Sequence, residues 1–433
     1  MDLPRFPVFA SDAMLPGLLI AAIAIVHVFL AQFAVGGGIL VTYFEWRAER
    51  RGNPLLRDFL HRFFTTLVLV SFVLGAVTGV GIWLVTALVT PRPLLLLVRE
   101  FHWIWAAEWC FFCLEVVCGY AYYVHSRTMP YRKRIWLAAG YAIGAWMSLF
   151  WVNGILSFQL TPGGWLESQS VWSAFFNPTF WPSLIGRTVA SMSLAAIGAT
   201  LVAQLVRGYD ESDQREVVRN AAVLLVPLVL MPVMAFWFLG VVPEESRRYV
   251  TGASVPMTMF FALAALFSLL IAGTAIFTLL KRRPLFTLPG TALLAVMAFC
   301  ATGATEFVRE GIRKPYVVHD VLYSNAIAVD EVRRVRRRGI SSLDPWPLRD
   351  AHRYPSRKIR NGRIVYRELC ASCHTPAAMN GLLHLTAAWD RAMLESNIEK
   401  LHRLKTFMPP FAGDDDDLEA LVEYLLWLRE DAE

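Results

Sequence analysis

Between Leu15 and Val308 the chain alternates eight apolar stretches, several well over 20 residues long, with short polar segments rich in arginine. A hydrocarbon core about 30 Å thick is crossed by roughly 20 residues rising about 1.5 Å each. A bilayer offers no water to unpaired backbone groups, so each stretch is predicted to be a helix. The spans fall at about 14–45, 63–90, 99–125, 135–160, 181–206, 217–241, 255–280 and 287–309. The first is too long for a signal peptide and lacks a cleavage pattern, so it is expected to stay in the mature chain. After Val308 the pattern breaks. Residues 316–357 are polar, contain Asp344-Pro345-Trp346-Pro347, and carry the run Arg333-Arg334-Val335-Arg336-Arg337-Arg338, which reads as a solvated or headgroup-facing face. From about Ser356 short helical segments follow, the last being Leu418–Leu428 behind an acidic first turn at Asp414–Asp417. The expected fold class is all-α: a polytopic membrane bundle of about eight transmembrane helices and a small all-α C-terminal domain.

Composition agrees. The hydrophobic set makes up 56% of 433 residues, charged residues 18%, and mean hydropathy is +0.45, against about 45–50% and 25% in soluble proteins. A cytosolic enzyme, a disordered chain and a secreted disulfide-rich domain are excluded. The formal charge of +6 resides in loops and the polar segment, so no nucleic-acid partner is expected. Fifteen Lys and Arg residues lie in the odd-numbered connections: Arg47, Arg50, Arg51, Arg57 and Arg62, then Arg127, Arg132, Lys133 and Arg134, then Arg207, Arg215 and Arg219, then Lys281, Arg282 and Arg283. The even-numbered connections hold only Arg92, Arg99, Arg247 and Arg248. Odd connections are therefore expected to be cytoplasmic, with both termini outside.

Cys370-Ala371-Ser372-Cys373-His374 is the attachment pattern of a covalent haem. Two thiols three residues apart reach the two vinyl groups of one porphyrin, and the following imidazole meets the iron. A zinc site would need a second ligand pair nearby, and none is present. Met408, in Phe407-Met408-Pro409-Pro410-Phe411, is the candidate second axial ligand; Met379 sits too near His374 in sequence to reach the opposite face easily. This region resembles the class I cytochrome c family on the haem motif and Met408-Pro409. Haem c is attached on the outer face of a bacterial membrane, the side to which the charge count independently assigns the C-terminus. The other cysteines, Cys110, Cys113, Cys118 and Cys300, lie in spans and read as packing residues.

Ionisable residues inside a span are costly and mark cofactors or proton paths. They are His27, His102, Glu108, Glu115, Arg187, Glu306, Arg309, Glu310 and Arg313. His27 follows Ala21–Val26 with no neighbouring charge; it is a candidate haem ligand, or else a histidine satisfied by a carbonyl. His102 reads first as a polar helix end, with ligation as the alternative. Glu108 and Glu115, two turns apart, share a face of the third span, and Glu306 and Glu310 share one on the eighth. Arg313, one turn beyond Glu310, is placed to pair with it or with a haem propionate.

Over residues 1–316 the chain resembles the large, haem-bearing subunit of cytochrome bd oxidases. The resemblance is carried by His27, by Phe72–Gly79 (FVLGAVTG), by Cys113-Leu114-Glu115, by Asn153-Gly154 with Gln159 and Pro162, by Asn177-Pro178 and Thr188–Ser191, and by Glu310-Gly311-Ile312-Arg313-Lys314-Pro315. It implies that His27 and Glu310 ligate membrane haems, that Arg313 anchors one, and that Glu115 and Glu108 serve the proton route. It also implies two non-covalent haems of b or d type beside the one haem c, and a second membrane subunit.

Two departures form a pattern. Arg187 stands where the family carries the histidine of its low-spin haem, and only about a dozen residues, Val242–Ser254, replace the long quinol-binding loop. The expected organisation is a bd-like haem domain (1–315), a basic extracytoplasmic linker (316–355) and a cytochrome c domain (356–433). The expected function is a cytochrome c-linked terminal oxidase of the bacterial inner membrane. A soluble or membrane-bound cytochrome c-type donor would reduce haem c in place of quinol, and O2 would be reduced at the membrane haems. The alternative is a non-catalytic electron-transfer subunit of a larger respiratory complex.

Overall fold

The computed structural model describes residues 3–7, 9–281 and 287–431; Arg282 and Arg283 of the charge count lie outside them. Among the described residues, eight helices are long and apolar enough to cross a membrane. They are α1 (Pro16–Arg51), α2 (Pro54–Val89), α4 (His102–His125), α5 (Tyr131–Phe158), α6 (Phe180–Leu205), α7 (Glu211–Val241), α8 (Val255–Leu280) and α9 (Leu288–Gly311). A short amphipathic helix, α3 (Pro91–Glu100), lies between α2 and α4.

Local chemistry sets the ends. Gly52, in the left-handed region at φ 58°, stops α1. The Asn53 carboxamide then accepts from the Leu55 and Leu56 N–H groups, and Pro54 opens α2 at the position where its missing N–H costs nothing. Inside α2 the turns widen to π geometry over Leu69–Gly75, a distortion frequent at functional sites. In α7 the helix tightens over Val223–Leu230 around Pro227, which has no N–H to donate.

The chain divides into two compact units. The first, Ala24–Gly81 with Glu100–Ile312, is the larger part of the bundle. Its core gathers Phe33, Leu40, Phe44, Phe59, Phe63, Phe64, Tyr122 and Tyr141. Helices approach at glycines: a Cβ on Gly36 would stand 1.8 Å from the Ser191 carbonyl oxygen, and one on Gly144 2.7 Å from the Glu115 nitrogen. One buried polar knot, Tyr122 to Glu45 at 2.7 Å and Arg134 to Glu45 at 3.2 Å, joins α4, α1 and α5.

The second unit comprises Met1–Ile23, Ile82–Arg99 and Arg313–Glu433. It contains an antiparallel hairpin, β1 (Tyr316–Val318) with β2 (Leu322–Tyr323), and the helices α10 (Val332–Arg338), α11 (Arg357–Leu369), α12 (Arg391–Glu399) and α13 (Asp415–Glu430). The acidic run caps α13: Asp414 accepts from the Asp417 N–H, and Asp417 from the Asp414 N–H. The polar segment before α11 is folded rather than extended. Ile327, Val335, Ile340 and Tyr354 share a core with Val365, Tyr366, Leu421 and Leu425. The arginines of α10 stay exposed while Val335, in their midst, points inward.

Candidate functional site

The covalent-haem motif begins just after α11. The Cys373 and His374 N–H groups both bond to the Cys370 carbonyl, at 3.0 and 2.9 Å, so one tight turn presents both thiols and the imidazole. Both thiols are free. The His374 Nδ1 lies 3.0 Å from the Asn380 carbonyl oxygen; a carbonyl only accepts, so Nδ1 carries the proton and Nε2 keeps its lone pair for a metal. Burial also lowers the His374 pKa, which favours the neutral imidazole. The turn is braced twice more, by Asn380 Nδ2 to the Cys373 carbonyl at 2.7 Å and by the Tyr366 hydroxyl to the His374 carbonyl at 2.6 Å. Met408 is half-buried, its loop pinned by His402 Nδ1, which donates to the Met408 carbonyl at 2.7 Å. Met379 is exposed. Between the motif and Met408, Leu385, Leu404 and Phe407 leave apolar side chains uncovered by protein, as a porphyrin face requires. The donor set and its surroundings fit haem c.

In the bundle unit His27 meets α2. Its Nδ1 lies 3.1 Å from the Thr78 hydroxyl oxygen, and that hydroxyl donates to the Leu74 carbonyl at 2.7 Å. Thr78 has one proton to give, so Nδ1 must be the donor toward it, again leaving Nε2 free for a metal. Gly79 supplies the room: a Cβ there would stand 3.2 Å from the His27 Cε1. Glu115 is packed in α4 against Gly144 of α5, and Glu108, two turns earlier on the same face, is half-buried. His102 is exposed at the first turn of α4. Glu310, half-buried, lies in the last turn of α9. In the other unit Arg313 is buried and donates to the Val317 carbonyl at 2.9 Å.

Three further ionisable residues come together. Glu306 accepts from Arg309 at 2.8 Å and lies 3.9 Å from the Arg187 guanidinium. Arg187 thus faces a carboxylate of α9; a guanidinium has no lone pair to give a metal. The sequence did not single out Thr78 or Asn380 as supports for the two imidazoles. The first lies inside the FVLGAVTG stretch and carries no signal of its own; the second acts through its backbone.

The family description "Cytochrome bd terminal oxidase subunit I" matches residues 17–246, and "Cytochrome C oxidase, cbb3-type, subunit III" matches residues 357–425. No curated protein gives a match. Among solved structures, the bd oxidase from Geobacillus thermodenitrificans aligns with a TM-score of 0.61 at 17% identity, covering 70% of this chain and 87% of that one. At that identity the likeness concerns the fold. With the first family spanning more than half its length, this chain belongs to the cytochrome bd terminal oxidase subunit I family and carries a cytochrome c domain fused behind the membrane bundle.

Proposed function

We propose that this protein is a cytochrome c-linked oxygen reductase of bd type, fed through its own haem c instead of by quinol. The observation that carries the reading is the pair of prepared imidazoles. His374 and His27, in two different units, each have Nδ1 committed to an oxygen and Nε2 left for iron. Haem iron bound at such positions supplies the one-electron and oxygen chemistry that amino-acid side chains lack. The chain's residues supply the rest. Cys370 and Cys373 tether haem c, His374 and Met408 hold its iron, and His27 and Glu310 hold iron in the membrane, with Arg313 as an anchor for a propionate. Glu108 and Glu115, on one face of α4, hold and pass protons at their carboxylate oxygens. The short connection Val242–Ser254 folds into a compact helical turn whose Ser246 hydroxyl donates to the Ile312 carbonyl at 2.7 Å, which favours a donor other than quinol.

The reading extends to organisation: a haem-bearing membrane domain over 1–315, a basic segment over 316–355, and a cytochrome c domain over 356–433 on the periplasmic side of a bacterial inner membrane. A second membrane subunit and a cytochrome c-type donor complete it. The non-covalent haems, two of b or d type, are fewer if the Arg187–Glu306 pair occupies a lost haem's place. The test is a pyridine-haemochrome count with a CO difference spectrum on the reduced protein and on His27→Ala. One thioether-bound haem per chain is expected in both, with a CO-reactive non-covalent haem in the parent alone. A parent yielding only covalent haem would overturn the reading. A parent with six-coordinate, CO-inert membrane haems would replace it with the electron-transfer subunit.

A further inference from the structure

The unit that holds the haem c motif also contains the N-terminal segment and the turn that leads from α2 into α3, and these are joined by charges removed from water. Arg92, at the start of α3, is 6% exposed and Glu331, just before α10, 3%. Their side chains form a two-pronged pair, Nη2 to Oε2 at 2.8 Å and Nη1 to Oε1 at 3.2 Å. Arg92 also donates to the Leu3 carbonyl at 3.1 Å and to that of Ala326. Arg5 then bridges, at 3.3 Å to Glu331 and 3.4 Å to Glu368, two residues before Cys370. Further along the same segment the Phe9 N–H bonds the Leu88 carbonyl at 3.0 Å, and Asp12 accepts from the buried Arg363 of α11 at 2.7 Å. Where α1 opens, a Cβ on Gly17 would come within 4.0 Å of the Ser372 carbonyl, inside the haem motif itself.

Apolar side chains of similar volume would bind these segments as strongly, because burying a charge pair spends its Coulomb energy on desolvation. A two-pronged pair adds geometry: it is satisfied in one register only. The partners here lie 239 and more residues apart in sequence, so that register places Cys370–His374 against the first turn of α1. We propose that Arg92 and Glu331 are positioning residues, the centre of a clasp in which residues 3–7 and 9–12 hold the haem c turn in one fixed place on the opening of α1, where a flexible tether would let it swing. The inference rests on the reading of Cys370–His374 as the haem c site, and it does not need the membrane haems to reduce oxygen.

The experiment compares the intact protein with Arg92→Ala, Glu331→Gln and the double variant Arg92→Ala/Glu331→Gln. Loss of one partner from a buried pair is expected to lower the ratio of clasped to released forms by about a hundredfold or more. Amide exchange in peptides covering 3–12 and 82–99 should speed accordingly, and the double variant should exchange far less fast than the two single effects multiplied, because the side chains act as one pair. Haem c content and its reduction by ascorbate should stay at the parent level in every variant. In turnover with a reduced cytochrome donor, kcat should fall with KM unchanged. Unaltered exchange in both single variants would overturn the proposal, as would fully multiplicative effects in the double variant. If Arg92→Ala does not accumulate, Arg5→Ala, at the more exposed end of the clasp, must show the same exchange increase at 3–12 or the proposal falls.

Discussion

At the scale of single residues, the two candidate iron-binding imidazoles use one device with different means. His374 is oriented by a backbone carbonyl, which no side-chain substitution removes. His27 is oriented by a hydroxyl, which one substitution does remove. Thr78→Val keeps the shape of the side chain but removes the hydroxyl that Nδ1 meets at 3.1 Å. Outer partners of this kind are worth about 10–100-fold in affinity. Thr78→Val should therefore lose its non-covalent haem to an apo-globin acceptor about that much faster, with haem c untouched, and Thr78→Ser should behave like the parent. Equal retention by Val and Ser would mean that Thr78 does not orient the ring. The histidine was visible in the sequence because a lone imidazole in an apolar run is conspicuous. Its support was not, because a threonine in a span ordinarily bonds its own helix, and Thr78 does that as well.

At the scale of elements, the long helices were legible and the small devices between them were not. An apolar run of 20 residues in lipid has one solution, and all eight spans took it, most ends falling a few residues from those expected; α1 runs on to Arg51, α2 starts already at Pro54 and α7 at Glu211, each through polar turns beyond the apolar run. The helix α3 and the hairpin of β1 and β2 went unseen, since elements of ten residues or fewer leave too little periodicity to read. The segment 316–355 looked like a linker because its mean composition is polar, yet Ile327, Val335, Ile340 and Tyr354 recur within it and are buried. Packing at this scale makes a sharp contrast among glycines. A Cβ on Gly36 would press on the Ser191 carbonyl at 1.8 Å, and one on Gly362 of α11 on the Ala420 carbonyl of α13 at 2.0 Å; around Gly273 of α8 nothing lies within 4 Å. Backbone cannot yield as a side-chain tip can. Gly36→Ala and Gly362→Ala should each lower stability by about 1–3 kcal/mol or more. The thermal midpoint of haem absorbance in detergent should report the first through the membrane haems and the second through haem c. Gly273→Ala should leave both midpoints at or above the parent's, since alanine is the better helix former by about 1 kcal/mol.

At the scale of the whole molecule, two independent signals bear on sidedness: the arginines of the connections, and the chemistry of a haem attached outside the cytoplasm. Neither uses the other's residues. An even number of spans returns the chain to the side where it began, so both signals can hold together only if the N-terminus is outside as well. In the proposed orientation the connection between α7 and α8 faces the periplasm, and the one between α4 and α5 the cytoplasm. Arg247 and Arg132 are exposed representatives of these two connections. The native cysteines outside the haem motif all lie within membrane helices, and Cys370 and Cys373 are consumed by thioether bonds once haem is attached. A cysteine placed at either arginine should therefore stand out from a low background with a membrane-impermeant maleimide. Arg247→Cys should label in intact cells with a permeabilised outer membrane, and Arg132→Cys only after the inner membrane is opened. The reverse pattern would put the haem c turn on the side where it cannot be assembled, and with it would go the donor route proposed for this chain.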